Sequence, residues 1–188
     1  MPTDLAAITE DLSRRMDGAM DTLRREFSGL RTGRANPALL DPVKVEAYGT
    51  MMPLNQVATV AVPEARMLTV QVWDRSMVNA TVAAIRDCGL GLNPQPDGQL
   101  IRVPLPILTE ERRNELARAA GKYAEGTRIA VRGVRRDGME TIKALEKKHE
   151  IGEDQSRDWS EQVQKLTDAM IKRIDDLLAE KEKDIRQV

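Results

Sequence analysis

Three long stretches of the chain place apolar residues every third or fourth position, and the segment between the first and second does not. In residues 3–30 the series is Leu5, Ile8, Leu12, Met16, Ala19, Leu23, Phe27 and Leu30. That period predicts an amphipathic helix, with Pro2 and Thr3 suited to its start. The second stretch, 109–150, carries Leu116, Ala120, Tyr123, Thr127, Val131, Val134, Gly138, Ile142 and Leu145 at the same steps. Thr109 is a plausible N-cap, and Glu110 and Glu111 place negative charge at the positive end of the helix dipole. Gly152 is expected to break this helix, with Asp154 or Ser156 starting a third. The third stripe is Trp159, Val163, Leu166, Met170, Ile174, Leu177 and Ile185. None of these helices can hide its single apolar seam alone, so the pattern predicts a three-helix bundle. The second helix outreaches the first, which leaves one end of the bundle two helices thick.

Between Arg31 and Leu105 the period falls to two. Val43, Val45 and Ala47 alternate with Lys44 and Glu46, punctuated by Gly49 and Pro53. Val57–Val62 is a second β-like run, expected to stop at Pro63. Leu68, Val70 and Val72 alternate with Thr69, Gln71 and Trp73 in the clearest strand. A short helix with Val78, Val82, Ala83 and Ile85 follows, capped by Asp74 or Ser76 and ended by Gly89. Asn93-Pro94, Pro96 and Asp97-Gly98 read as loop and turn. Leu100, Ile101 and Val103 form a last strand before Pro104 and Pro106. The predicted class is therefore α+β. Residues 1–30 and 106–188 form the bundle, and 31–105 form a small inserted α/β, β-rich domain. The two links, Leu30-Arg31-Thr32-Gly33 and Pro104-Leu105-Pro106, are candidates for a single hinge.

Composition narrows the chemistry. The chain has 188 residues, a formal net charge of −1 and five aromatic residues, so nucleic-acid affinity has to come from local clustering. A single Cys88 excludes an internal disulfide and a multi-cysteine metal site, and a single His149 excludes a His-rich one. Cys88 falls near a helix C-terminus, which disfavours a thiolate, and reads as a packed thiol. His149 reads as a solvated residue in a Lys-Lys-His-Glu run. Carboxylate pairs such as Glu110/Glu111 and Asp175/Asp176 sit where they cap or solvate helices. Asp87-Cys-Gly-Leu-Gly-Leu ends a helix rather than opening one and fails the context test for a dinucleotide loop. No catalytic, cofactor or metal constellation can be assembled. No apolar run is long enough to span a bilayer, and no signal-peptide core precedes the first helix. The expectation is a cytoplasmic, monomeric protein that is not an enzyme.

The second helix carries the one positive signal. At roughly 100° per residue, Arg118, Arg128, Arg132, Arg135, Arg136 and Lys143 are expected opposite its apolar stripe. No acid interrupts residues 127–136. Arginines along a rigid cylinder suit a nucleic-acid backbone, giving positioning and salt dependence rather than base readout. Arg31 and Arg34, with Arg112 and Arg113, can extend the patch. Aromatics do not interleave with these arginines, so folded RNA read by shape and phosphate is favoured over a stacked single strand. Four glycines interrupt the helix: Gly138 on the stripe, where it allows close helix approach, Gly121 on the arginine side, Gly133 near its border, and Gly126. The competing readings are a solvated face on a helical scaffold that holds a protein partner, and an RNA-processing enzyme, which lacks catalytic residues.

Several motifs then point to a family. Arg31-Thr-Gly-Arg-Ala-Asn-Pro, Val70-Gln-Val-Trp-Asp-Arg-Ser-Met, Gly89-Leu-Gly-Leu-Asn-Pro and Ile101-Arg-Val-Pro-Leu-Pro resemble ribosome recycling factors. So do Leu108-Thr-Glu-Glu-Arg-Arg, Val131-Arg-Gly-Val-Arg-Arg-Asp and Val163-Gln-Lys-Leu-Thr-Asp. They occur in order across nearly the whole chain. The resemblance implies a three-helix bundle and an inserted domain set in an L. It implies a factor that binds the post-termination ribosome on 50S large-subunit rRNA. With elongation factor G and GTP, such a factor splits the ribosome and releases mRNA and tRNA, hydrolysing nothing itself. Family RNA contacts map onto Arg31, Arg113, Arg132, Arg135 and Arg136, with Arg128 added from the local arc. Gly133 stands where some members carry Asn, and Gly138 where some carry Ala.

Overall fold

A computed structural model describes residues 4–30 and 32–187. The expected roles of Pro2, Thr3 and Arg31 lie outside the described residues. The chain forms two compact units, one made of the long helices and the other spanning Thr32–Thr109.

The helical unit contains α1 (Leu5–Gly29), α3 (Glu110–Lys147) and α4 (Glu153–Arg186). In α1 the start is set by Asp4, whose Oδ1 accepts from the Ala7 amide at 2.7 Å. Ile8, Leu12, Met16, Met20, Leu23 and Phe27 are its buried face. α3 buries Leu116, Ala120, Ala124, Thr127, Val131, Val134, Gly138, Ile142 and Leu145. Ala124 thus occupies the seam, and Tyr123, expected there, is 37% exposed on the flank. The smaller side chain lets the neighbouring helix come close, and the phenol keeps its hydroxyl in water. Gly138 is a contact point: a Cβ there would meet Leu12 Cδ1 at 2.5 Å. The buried hydroxyls of Thr127 and Thr167 donate one turn back, to the carbonyls of Tyr123 and Val163, so neither is orphaned.

Gly152 does not end α3, as the sequence suggested. The helix stops at Lys147, and His149 takes a left-handed conformation with φ of 57°. The Glu150 amide donates to Leu145 O and the His149 amide to Glu146 O, the two bonds of a Schellman cap with histidine in the usual glycine place. Gly152 instead precedes α4 as its N-cap.

The second unit is built on two antiparallel sheets and α2 (Val78–Asp87). β1 (Lys44–Ala47) pairs with β2 (Thr50–Pro53). β3 (Ala58–Glu64), β4 (Met67–Val72), β5 (Gln95–Asp97) and β6 (Leu100–Pro104) form a sheet in the order β3-β4-β6-β5. Strands β1, β4 and β6 bury alternate residues, and Val45, Leu68, Val70, Ile101 and Val103 are fully enclosed with Ile85 of α2. Pro63 does not stop β3. It sits where the register shifts between Ala61 and Glu64 on an edge strand, a place where a missing amide costs no ladder bond. Two strands escaped the sequence reading. β2 follows a tight turn at Tyr48 and Gly49, both with positive φ. β5 lies inside the Pro-rich segment expected to be loop; it is three exposed residues on the other edge.

Candidate nucleic-acid interface

The arginine arc of α3 is set by its angle to the neighbouring helices. With Val131 at the middle of the seam, Arg135 and Arg128 fall roughly 40–60° away, Arg132 about 100°, and Arg118 and Arg136 about 140°. The first two are therefore on the flank of the seam, facing α4, and not on its far side. Arg135 is half-buried, and its Nη1 donates to Gln164 Oε1 of α4 at 3.0 Å.

Arg128 contradicts the expectation of an open cation. Its side chain is only 19% exposed. Nε and Nη2 both donate to Asp175 Oδ1 of α4, at 3.0 and 2.6 Å. Nη1 donates to Glu125 Oε2 at 3.0 Å. The bond to Asp175 is the main influence holding its guanidinium firmly protonated, against the opposing effect of burial. With three of its five donors committed and its stem covered, Arg128 clamps α3 to α4. The sequence showed no acid in 127–136, but one acid sits a turn earlier and another arrives from a different helix.

Glu125 also reaches Arg132, whose Nη1 donates to Oε1 at 3.2 Å. Hydrogen bonding from Arg128, with a lesser contribution from Arg132, holds the Glu125 carboxyl below its usual range against the opposing effect of desolvation. Arg132 keeps half of its side chain in water. Arg136 and Arg118 are exposed and make no hydrogen bond or ion pair among the described residues. Lys122 and Lys143, also exposed, lie on the same outward strip. From Arg118 to Arg136 this strip is about 27 Å long at 1.5 Å per residue. Ile129, 60% exposed, sits on it among the cations. Such a strip can meet several phosphates of one backbone.

The remaining candidates fall elsewhere. Arg113 is half-buried in the first turn of α3 and already has an interaction, as do Arg112 and Arg34. Leu30 closes α1, donating its amide to Phe27 O. Gly33 has φ of 74°, and a Cβ there would meet Leu108 Cγ at 3.1 Å, so the two connecting segments touch within the second unit. Pro104 pairs with Met67 as the last residue of β6. Leu105 is buried in the same core and donates to Arg66 O at 2.9 Å. These two candidate hinge residues belong to the body of the β-rich unit, because sheet pairing and apolar burial hold them there. The irregular part of the return segment that follows is Pro106–Thr109.

Other chemistry is sparse. Cys88 is half-buried and donates Sγ–H to Ile85 O. Among the described residues no three His, Cys, Asp or Glu side chains are grouped to hold a metal, and no helix is long and apolar enough to cross a membrane.

Comparison with known proteins decides the family. Residues 23–185 match the family model described as Ribosome recycling factor. The ribosome-recycling factor of Acidiphilium cryptum (strain JF-5) is 86% identical over 188 residues, covering all of both chains. The chain belongs to the ribosome recycling factor family. The ribosome-recycling factor of Granulibacter bethesdensis is 71% identical, again over the full length of both. A solution structure of ribosome recycling factor aligns with 43% identity and a TM-score of 0.72 over the whole of both chains. A second match, with 43% identity and a TM-score of 0.64, covers 97% of this chain and 99% of the other. That structure describes the T. thermophilus ribosome recycling factor and E. coli elongation factor G bound to the E. coli post-termination complex. Long helices with a small β-rich domain are thus the architecture of the family, and ribosome recycling after translation termination is its place in protein biosynthesis.

Proposed function

We propose that this protein binds the post-termination 70S ribosome through large-subunit rRNA and, with elongation factor G and GTP, splits it into subunits, releasing mRNA and tRNA. Full-length 86% identity to a ribosome-recycling factor carries the reading. The protein acts as a cytoplasmic monomer without a cofactor, and any GTP hydrolysis belongs to elongation factor G. Residues 1–30 with 106–188 act as one domain and 31–105 as the other.

Arg132 and Arg136 make the principal phosphate contacts, supported by the guanidinium donors that Arg135 leaves uncommitted. Arg31 and Arg113 extend the contact toward the links. Arg128 is reassigned from RNA contact to helix clamp. Phosphate contacts of this kind fix position without reading sequence. The bundle resists bending because α3 and α4 are joined along their length by an apolar seam and by the Arg128–Asp175 pair. A stiff lever anchored on RNA transmits force instead of absorbing it. The β-rich unit turns about Leu30–Gly33 and the segment that begins at Pro106, and elongation factor G acts on it.

The direct test is subunit splitting. Post-termination 70S ribosomes incubated with the protein, elongation factor G and GTP are expected to resolve into 30S and 50S peaks on sedimentation. Intact 70S under those conditions, with a known recycling factor active in parallel, overturns the proposal. A helical scaffold for a protein partner would instead tolerate charge loss on the 128–136 face, and its binding would depend only weakly on salt.

A further inference from the structure

Glu125 is the one acid on the arginine side of α3 between Arg118 and Met139; Asp137, the other acid in that interval, faces α1 and pairs with Arg15. Its two carboxylate oxygens are divided between two arginines with different surroundings. Oε2 meets Arg128, which is largely covered and is held independently by two bonds to Asp175. Oε1 meets Arg132, which is half-exposed and has no other partner among the described residues. The clamp between α3 and α4 therefore survives without Glu125, whereas the charge of Arg132 is partly neutralised by it.

A phosphodiester approaching the strip from solvent offers Arg132 the same ligand that Glu125 offers: an anionic oxygen. The carboxylate is tethered about two turns away on the same helix, and it stays ionised because Arg128 holds it so. We infer that Glu125 is a built-in competitor for Arg132, a counter-ion that RNA phosphate must displace and that limits how tightly the protein holds the large subunit. This rests on the reading of Arg132 as a phosphate contact. Its use is release: a factor that acts on many ribosomes has to leave each one, and a tethered anion returns to Arg132 as soon as the phosphate moves away.

The test uses the full-length protein and isolated 50S subunits, with affinity measured from low to high salt. Glu125→Gln keeps the shape and removes the charge. It is expected to tighten binding roughly twofold to fivefold at about 0.1 M salt, the scale of an exposed ion pair, and to slow dissociation. Glu10→Gln removes an exposed acid of α1 that has no ion-pair partner among the described residues, and it measures the general charge effect. The gain from Glu125→Gln is expected to exceed that control and to fall to it in an Arg132→Ala background. Should Glu125→Gln bind equally or more weakly while Arg132→Ala alone weakens binding, the competitor role is wrong and Glu125 only positions Arg132. Should Arg132→Ala itself leave affinity unchanged, the phosphate contact is wrong and the inference goes with it. Cooperative thermal unfolding of Glu125→Gln with only a small drop in midpoint, expected because Asp175 still holds Arg128, separates these outcomes from misfolding.

Discussion

Arg128 and Arg136 lie two turns apart on one helix and do different work. Arg128 sits beside the seam, commits three donors to two acids and keeps only 19% of its side chain exposed. Arg136 has turned about 80° further around the cylinder and meets no partner among the described residues. Arg135 and Arg132 repeat the contrast in weaker form, one donating to Gln164 on α4 and the other to Glu125 on its own helix. Whether an arginine on α3 joins helices or stays open to solvent is thus decided by its angle to α4, not by the local density of charge.

The sharpest way to break this contrast is through stability. Arg128→Ala removes a covered stem and leaves Asp175 without its partner. It is expected to cost about 1–2 kcal/mol, reduced from a buried-pair value because both acids are half in water. Arg136→Ala is expected within about 0.5 kcal/mol of the parent. Urea denaturation followed by far-UV circular dichroism compares the two, and equal losses would erase the distinction. Ribosome binding should then invert the order: Arg136→Ala weakens 50S affinity and reduces its salt slope by about 0.7–0.9 for one lost phosphate contact, while Arg128→Ala leaves that slope unchanged. Arg135→Lys keeps the charge but loses the planar fork that reaches Gln164, so it is expected to retain most affinity at a smaller stability cost.

The pH dependence sharpens the clamp. Arg128 holds the Glu125 carboxyl below its ordinary value of 4.5. A depressed folded value means its contribution is complete above that pH and fades as pH falls through the folded value. The stability gap between the parent and Arg128→Ala should therefore persist at pH 5 and shrink toward pH 3. The smallest effect is expected in the other unit. There the Tyr48 hydroxyl donates to Asp74, lowering the Asp74 carboxyl below 3.8 and raising the Tyr48 phenol above 10.0. Tyr48→Phe should lower stability slightly between those two limits, and the difference should vanish in stronger acid, leaving 50S binding untouched.

Periodicity made the three helices, the inserted unit and most of its strands legible. It misplaced Tyr123 by one position because Ala124, also apolar, offers the seam a smaller side chain. It missed the cap at His149 because a left-handed histidine leaves no composition signal, while Gly152 nearby does. Pro63 and Pro96 look like strand breakers until the edge positions that tolerate them are known. The arginine arc was visible, but its division was not. Asp175 and Gln164 lie 47 and 29 residues from the arginines they hold, and only packing brings them together. Glu125 was in plain view one turn before Arg128, and the i,i+3 spacing was the signal that would have found it.

The most direct measurement is the affinity of Arg132→Ala/Arg136→Ala for isolated 50S subunits across a salt series, with helicity monitored alongside. Loss of two phosphate contacts should flatten the slope by about 1.4–1.8 in log–log units and weaken binding at every salt concentration, with the circular dichroism spectrum unchanged. Parent-like affinity and slope from an equally helical protein would contradict the assignment of the outward face of α3 to ribosomal RNA.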